Sequence, residues 1–187
     1  MKKILLIALL FFIAGCMPPP PWSTIGGPYP EYSQNFYVEL PNGWKKSNRV
    51  NYLLVTRDGA LLQNIIIMSL EIDKGLEYTK KKLKRDMLPQ EIAEVIIDDL
   101  TSNPNVLNLV VIENTPAKIS GHQGFKLLFT FRNREGVKYK SVYYGFIAGG
   151  KFYGIRYTAA ERYYFDKDIK IFERVAESFK LINEPKR

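Results

Sequence analysis

One cysteine and one histidine occur in the 187 residues of this chain. With Cys16 as the sole cysteine, no disulfide can form within the chain and no thiol nucleophile exists elsewhere. With His122 as the sole histidine, a multi-imidazole metal site, a Ser-His-Asp triad and a Cys-His pair each lack members. The setting Gly121-His122-Gln123-Gly124 marks His122 as a turn residue. Gly26-Gly27 and Gly149-Gly150 lack the strand-then-helix context and the lysine of a phosphate-binding loop. Asp98 with Asp99, and Asp166 with Asp168, are the close carboxylate pairs. Neighbours on a helix point apart, and acids at a helix start serve its dipole or its cap, so both pairs read as structural. A calcium loop needs more oxygens at regular spacing. These absences predict a protein without metal or cofactor and without enzymatic activity.

Long apolar runs are equally scarce. Ile4 to Ala14 is eleven residues, too short for the roughly 20 that span a bilayer as a helix. It follows the basic start Met1-Lys2-Lys3 and ends in small residues, the three parts of a secretory signal peptide. Its last residues, Ile13-Ala14-Gly15-Cys16, resemble the lipobox of bacterial lipoproteins. The resemblance implies cleavage before Cys16 and acylation of that cysteine, against the alternative of an ordinary signal peptide that happens to contain one. Two or three acyl chains would hold the protein at a membrane without placing backbone inside it. In a diderm host Met17, not aspartate, follows the cysteine, which leans toward the outer membrane and a periplasmic location.

The net charge of +8 falls to about +6 once Lys2 and Lys3 leave with the signal. An exported chain meets lipid headgroups before it meets nucleic acid, so the basic surface points to a membrane. Residues 16–31 read as a tether. Six of the fourteen residues 17–30 are proline, and polyproline II at about 3.1 Å per residue would hold the domain up to roughly 40 Å from the bilayer. A proline-rich recognition ligand is the alternative. A single globular domain is expected over 32–182, with a polar tail at 183–187.

Within the domain, Phe36, Val38 and Leu40 alternate before the Pro41-Asn42-Gly43 turn, and Asn51 to Arg57 meets the hairpin signal Asp58-Gly59. A third strand runs from about Leu62 to Ile72. Leu76, Lys80, Leu83 and Met87 fit a short helix, and Pro89 opens another with Glu91 in its first turn. Asn103-Pro104 stops that helix and strand character returns at Val106 to Glu113. Phe125, Leu127, Phe129 and Phe131 share one face of the next strand, and turns at Arg134-Glu135-Gly136 and Gly149-Gly150 complete a three-stranded meander. Ile169, Phe172, Val175, Ala176 and Phe179 form the stripe of a final helix. Tight hairpins make neighbouring strands antiparallel. Val142, Tyr144 and Phe146 on one face, with Tyr139, Tyr143 and Ile147 on the other, call for cover on both sides. The fold class is therefore α+β, an antiparallel sheet packed between helices as an α/β/α sandwich.

The strand Phe36-Tyr37-Val38-Glu39-Leu40-Pro41-Asn42-Gly43-Trp44, the entry Gly121 to Phe125 and the ending Glu177-Ser178-Phe179-Lys180-Leu181 resemble PsbP-like domains over about residues 35–182. The resemblance implies the same sandwich and a family of binding and assembly modules that largely lacks enzymes. It carries over no ligand and no site residue. A membrane-anchored envelope lipoprotein with a protein partner is thus the expected function. A small-molecule or lipid binder with an aromatic pocket between sheet and helix is the alternative. Beyond Cys16, two groups are candidate contacts. Lys80, Lys81, Lys82, Lys84 and Arg85 are a solvated face or a headgroup patch, and Tyr163 and Tyr164 precede the last helix among tyrosines that otherwise suit a core.

Overall fold

Alternating apolar residues bury one side of a strand, and in this chain many strands are apolar on both sides. A computed structural model describes residues 20–182; residues 1–19, where the signal peptide and Cys16 anchor are expected, and the tail at 183–187 lie outside the described residues. The strands are β1 (Trp22–Glu31), β2 (Phe36–Ser47), β3 (Leu53–Thr56), β4 (Gln63–Glu71), β5 (Leu107–Ile119), β6 (His122–Arg132), β7 (Lys138–Ala148), β8 (Lys151–Ala160) and β9 (Lys180–Leu181). The helices are α1 (Pro89–Thr101) and α2 (Tyr164–Ser178). The sheet runs β1-β2-β3-β4-β8-β7-β6-β5, with β9 beside β2, and every pairing is antiparallel.

Each face has its own core. Val142 and Phe146 of β7, with Tyr153, Ile155 and Tyr157 of β8, meet Phe165, Phe172 and Val175 of α2. Their alternate neighbours Tyr143 and Phe152 join Phe125, Leu127 and Phe129 of β6 under Ile92, Ala93 and Ile96 of α1. The predicted sandwich is therefore present, with one helix on each side. Burial pushes the Tyr143 hydroxyl up to about 12, with the Arg156 guanidinium over its ring opposing the shift. Helix α1 starts as its sequence foretells: Pro89 takes the first position, and the Glu91 carboxylate accepts the Leu88 N–H at 2.7 Å. Among the described residues no helix is long and apolar enough to cross a membrane.

Two expectations need correction. The tether expected over 16–31 ends sooner, because Trp22 to Glu31 pairs with β2 as an edge strand. Proline is compatible with an edge, where one side of the strand needs no ladder bond, and that accommodates Pro28 and Pro30. The segment expected as a helix from Leu76 to Met87 is irregular. Lys80 sits at φ 59°, the Leu76 N–H donates to the Lys81 carbonyl at 2.8 Å, and Leu76 and Leu83 anchor the loop beneath α1.

The β1–β2 hairpin is sharply folded. Its register shifts between Ile25 and Gly27, opposite Asn42-Gly43, and a Cβ on Gly26 would lie 2.2 Å from Asn42 Oδ1. Tyr29 on one arm therefore accepts from Lys46 Nζ on the other at 3.2 Å, and Gln34 at the tip donates to the Asn51 carbonyl. The fold returns the hairpin tip to the side on which the chain enters. That end of the sheet holds Pro20 and Pro21, whose carbonyls accept from Asn48, together with the end of β4 and the Gly149-Gly150 turn. The opposite end holds the β3–β4 turn, the β6–β7 turn and the link from β8 to α2.

Candidate functional site

The opposite end carries four exposed apolar side chains on its turns, as many as the β5 edge carries along its strand. Leu61 is 82% exposed, Tyr163 62%, Val137 41% and Leu62 37%. The turns are tied together. Tyr139 Oη donates to the Leu61 carbonyl at 2.8 Å, the Ala160 N–H donates to the Leu62 carbonyl at 2.9 Å, and the Glu161 N–H donates to the Lys138 carbonyl at 3.0 Å. Lys138 and Glu161 also form an ion pair at 2.8 Å. Exposed apolar side chains clustered on a rigid rim mark an interaction surface more strongly than scattered ones do.

A charged network beneath the rim fixes the start of α2. Asp168 is fully buried, with Arg57 Nη2 at 2.8 Å and Gln63 Nε2 at 3.3 Å from its carboxylate. Burial pushes the Asp168 carboxyl up, and Arg57 opposes that shift. Asp168 was expected to serve the helix start as a cap or dipole partner; it lies inside, joining α2 to Arg57 just past β3 and to Gln63 of β4. Lys167 Nζ bonds Asp58 at 2.7 Å and lies 5.4 Å and 5.6 Å from the Tyr163 and Tyr164 ring centroids. The Lys167 hydrogen bond holds the Asp58 carboxyl below its usual range, and the same bond raises Lys167.

The sequence-predicted residues separate accordingly. Tyr163 is exposed on the rim, whereas Tyr164 is half-buried, packs against the core and has its carbonyl accept from Tyr157 Oη at 2.7 Å. All five cations of the 80–85 segment are exposed, on the loop that leaves β4 at Glu71 at the other end of the sheet from that rim. Lys80 Nζ donates to the Glu77 carbonyl at 2.6 Å and Lys81 pairs with Asp98 at 2.7 Å. Lys82, Lys84 and Arg85 have no ion-pair partner among the described residues. Asp99 accepts the N–H groups of Tyr78 and Thr79, a structural use. His122 opens β6 and stacks on Phe146 with ring centroids 5.1 Å apart. Among the described residues no group of three or more His, Cys, Asp or Glu is placed to hold a metal.

Sequence reasoning missed Leu61 and Leu62, although two leucines directly after Asp58-Gly59-Ala60 put apolar residues where a turn wants polar ones. It also missed Arg57, whose partner lies 111 residues away. A polar cleft of about 130 Å³ lies between the arms of the bent hairpin, lined by Tyr29, Glu31, Gln34, Lys46 and Asn51 among others. It has room for a few waters, well short of the roughly 300–1,000 Å³ of ligand pockets.

Comparison with known proteins places this arrangement. Residues 27–181 match the PsbP family. No protein of curated function matches. Among solved structures, cyanobacterial PsbP from Synechocystis aligns with TM-score 0.55 and 16% identity, over 89% of this chain and 97% of that one. The Ran-binding protein Mog1p of Saccharomyces cerevisiae aligns with TM-score 0.57 and 10% identity, over 86% of this chain and 97% of that one. A Bacteroides thetaiotaomicron protein aligns with TM-score 0.54 and 15% identity over 87% of this chain, which spans only 50% of that protein. At these identities the structures speak for the fold, and the family match covers most of the chain. The chain belongs to the PsbP family.

Proposed function

We propose that this protein is an envelope lipoprotein, held at the membrane through Cys16, whose PsbP domain binds another envelope protein and performs no catalysis. In a diderm host the anchor sits in the outer membrane and the domain faces the periplasm. The rim of Leu61, Leu62, Val137 and Tyr163 carries the reading, because it offers apolar area on turns already fixed before binding. Tyrosine suits such a surface, with apolar area and a polar tip. The yeast protein of similar fold is Ran-binding, so protein recognition is within the reach of this architecture, although that partner does not transfer. The alternative of an aromatic pocket between sheet and helix is less well supported. Tyr144 and Tyr157 both stack on Phe172 in that space, and Tyr153 stacks on Phe146 beside Phe179.

The test uses a photo-crosslinking amino acid at position 163 in intact cells, with position 94 on the exposed side of α1 as control. Tyr163 is expected to give a discrete protein adduct that disappears when Leu61→Glu is added, while position 94 gives none. Equal, diffuse labelling from both positions defeats the reading. The anchor is read separately: Cys16→Ala is expected to abolish acyl labelling and leave an unprocessed precursor.

A further inference from the structure

Lys82, Lys84 and Arg85 remain unpaired among the described residues although Asp73, Glu77 and Asp86 lie close in sequence. The loop that carries them is held at both ends. Leu76 and Leu83 are buried beneath α1, and Arg85 reaches the Gly149-Gly150 turn, where Nη2 lies 2.9 Å from the position a Gly150 Cβ would take. The cations are therefore presented on a fixed loop. Leu88, 62% exposed, lies three residues after Arg85, beyond the exposed Asp86, and immediately precedes α1.

Topology then fixes where this loop lies relative to the chain entry. The loop leaves β4 at Glu71, which pairs with Lys151 beside the Gly149-Gly150 turn. Pro20 and Pro21 bond to Asn48 in the β2–β3 loop at the same end of the sheet. From β1 to β8 are four strand spacings of about 4.8 Å, so the loop lies about 19 Å to the side of the chain entry. Because β1 begins at Trp22, only six residue steps separate it from Cys16, a reach of at most about 21 Å. An anchor at Cys16 thus keeps this end of the domain within about one strand length of the lipid, and the apolar rim points the other way.

We infer that the loop of Lys82, Lys84 and Arg85 docks the domain on an anionic bilayer surface, with Leu88 facing the headgroup layer. The occupant follows from charge complementarity and from the length and exit point of the tether. The inference rests on the Cys16 anchor proposed above. Lys80 and Lys81, engaged with Glu77 and Asp98, contribute less.

The experiment uses the full acylated chain, purified and reconstituted into phosphatidylglycerol-containing or pure phosphatidylcholine vesicles. Lysine labelling by a water-soluble acylating reagent is read by peptide mass spectrometry. Lys82 and Lys84 are expected to label about fivefold more slowly on the anionic vesicles, and exposed Lys170 on α2 equally on both. Molar salt, which shortens the screening length to about 3 Å, is expected to remove the difference. In a Lys84→Glu/Arg85→Glu variant, Lys82 is expected to label alike on both vesicles. Equal labelling of wild-type Lys82 and Lys84 on an acylated chain overturns this inference and leaves the anchor standing. A chain whose intact mass carries no acyl groups overturns the anchor, and this inference with it.

Discussion

Arg57 and Asp168 bear on everything at the rim, because they set where α2 begins. Asp168 is fully buried, while about a third of the Arg57 side chain (32%) is exposed. Removing one partner of such a pair leaves a charge with little water and no counter-ion. Arg57→Ala is therefore expected to destabilise the protein by about 3 kcal/mol at neutral pH, the low end for a buried pair because Arg57 is partly solvated. The sign with pH follows from the carboxyl. Burial already raises it, and losing Arg57 removes the opposing influence. For a raised carboxyl, stability is fully present below the unfolded value near 3.9 and is lost as pH rises through the folded value. The deficit of Arg57→Ala should accordingly shrink from pH 7 to pH 4, where Asp168 can be neutral. Urea midpoints of wild type and variant at both pH values check this, and a deficit that grows on acidification would contradict it.

The loop between β4 and α1 illustrates what element-level patterns convey. Leu76, Lys80, Leu83 and Met87 have helical spacing, yet Leu76, Leu83 and Met87 are the members that touch the core. The Tyr78 and Thr79 N–H groups donate to Asp99, 20 or so residues onward, which competes with helical bonding. No local pattern announces such a tertiary acceptor. By contrast, α1 was legible because its signals are local: Pro89, Glu91 and the Ile92-Val95-Ile96 stripe. The meander was legible for the same reason, since each turn carries its own glycine. Leu83 holds the basic loop in place, so Leu83→Ala is expected to cost about 2–4 kcal/mol through the cavity it leaves. Limited trypsin digestion should then cut after Lys82, Lys84 or Arg85 before other sites, whereas wild type resists there. If the variant's first cuts fall elsewhere, Leu83 is not what holds this loop.

At the scale of the molecule, the sheet has two edges, and both are blunted. Strand β5 shows register shifts between Leu107 and Val110 and between Val111 and Glu113, and Pro116 interrupts its donors. These devices keep exposed Val110 and Ile112 from recruiting another strand. Strand β1 forms the other edge with Gly26, Gly27, Pro28 and Pro30, and the same composition made it read as tether. Composition identifies a segment that cannot be a central strand; it does not separate an edge strand from a linker, because both tolerate proline. Register decides, and here Ile25 pairs with Trp44 and Tyr29 with Val38, both partners buried. Truncation tests this boundary. A chain that starts at Pro21 keeps β1 and should melt within about 2 °C of one that starts at Cys16, since surface changes away from the core cost less than about 0.5 kcal/mol. A chain that starts at Tyr32 uncovers β2 and removes Ile25 and Tyr29 from the core face they cover. It should lose the cooperative transition or aggregate through the newly opened strand. Equal melting of the two would return residues 22–31 to the tether and lengthen the reach from Cys16 to the domain. The Cys16 anchor proposed above would then no longer hold the basic loop near the lipid.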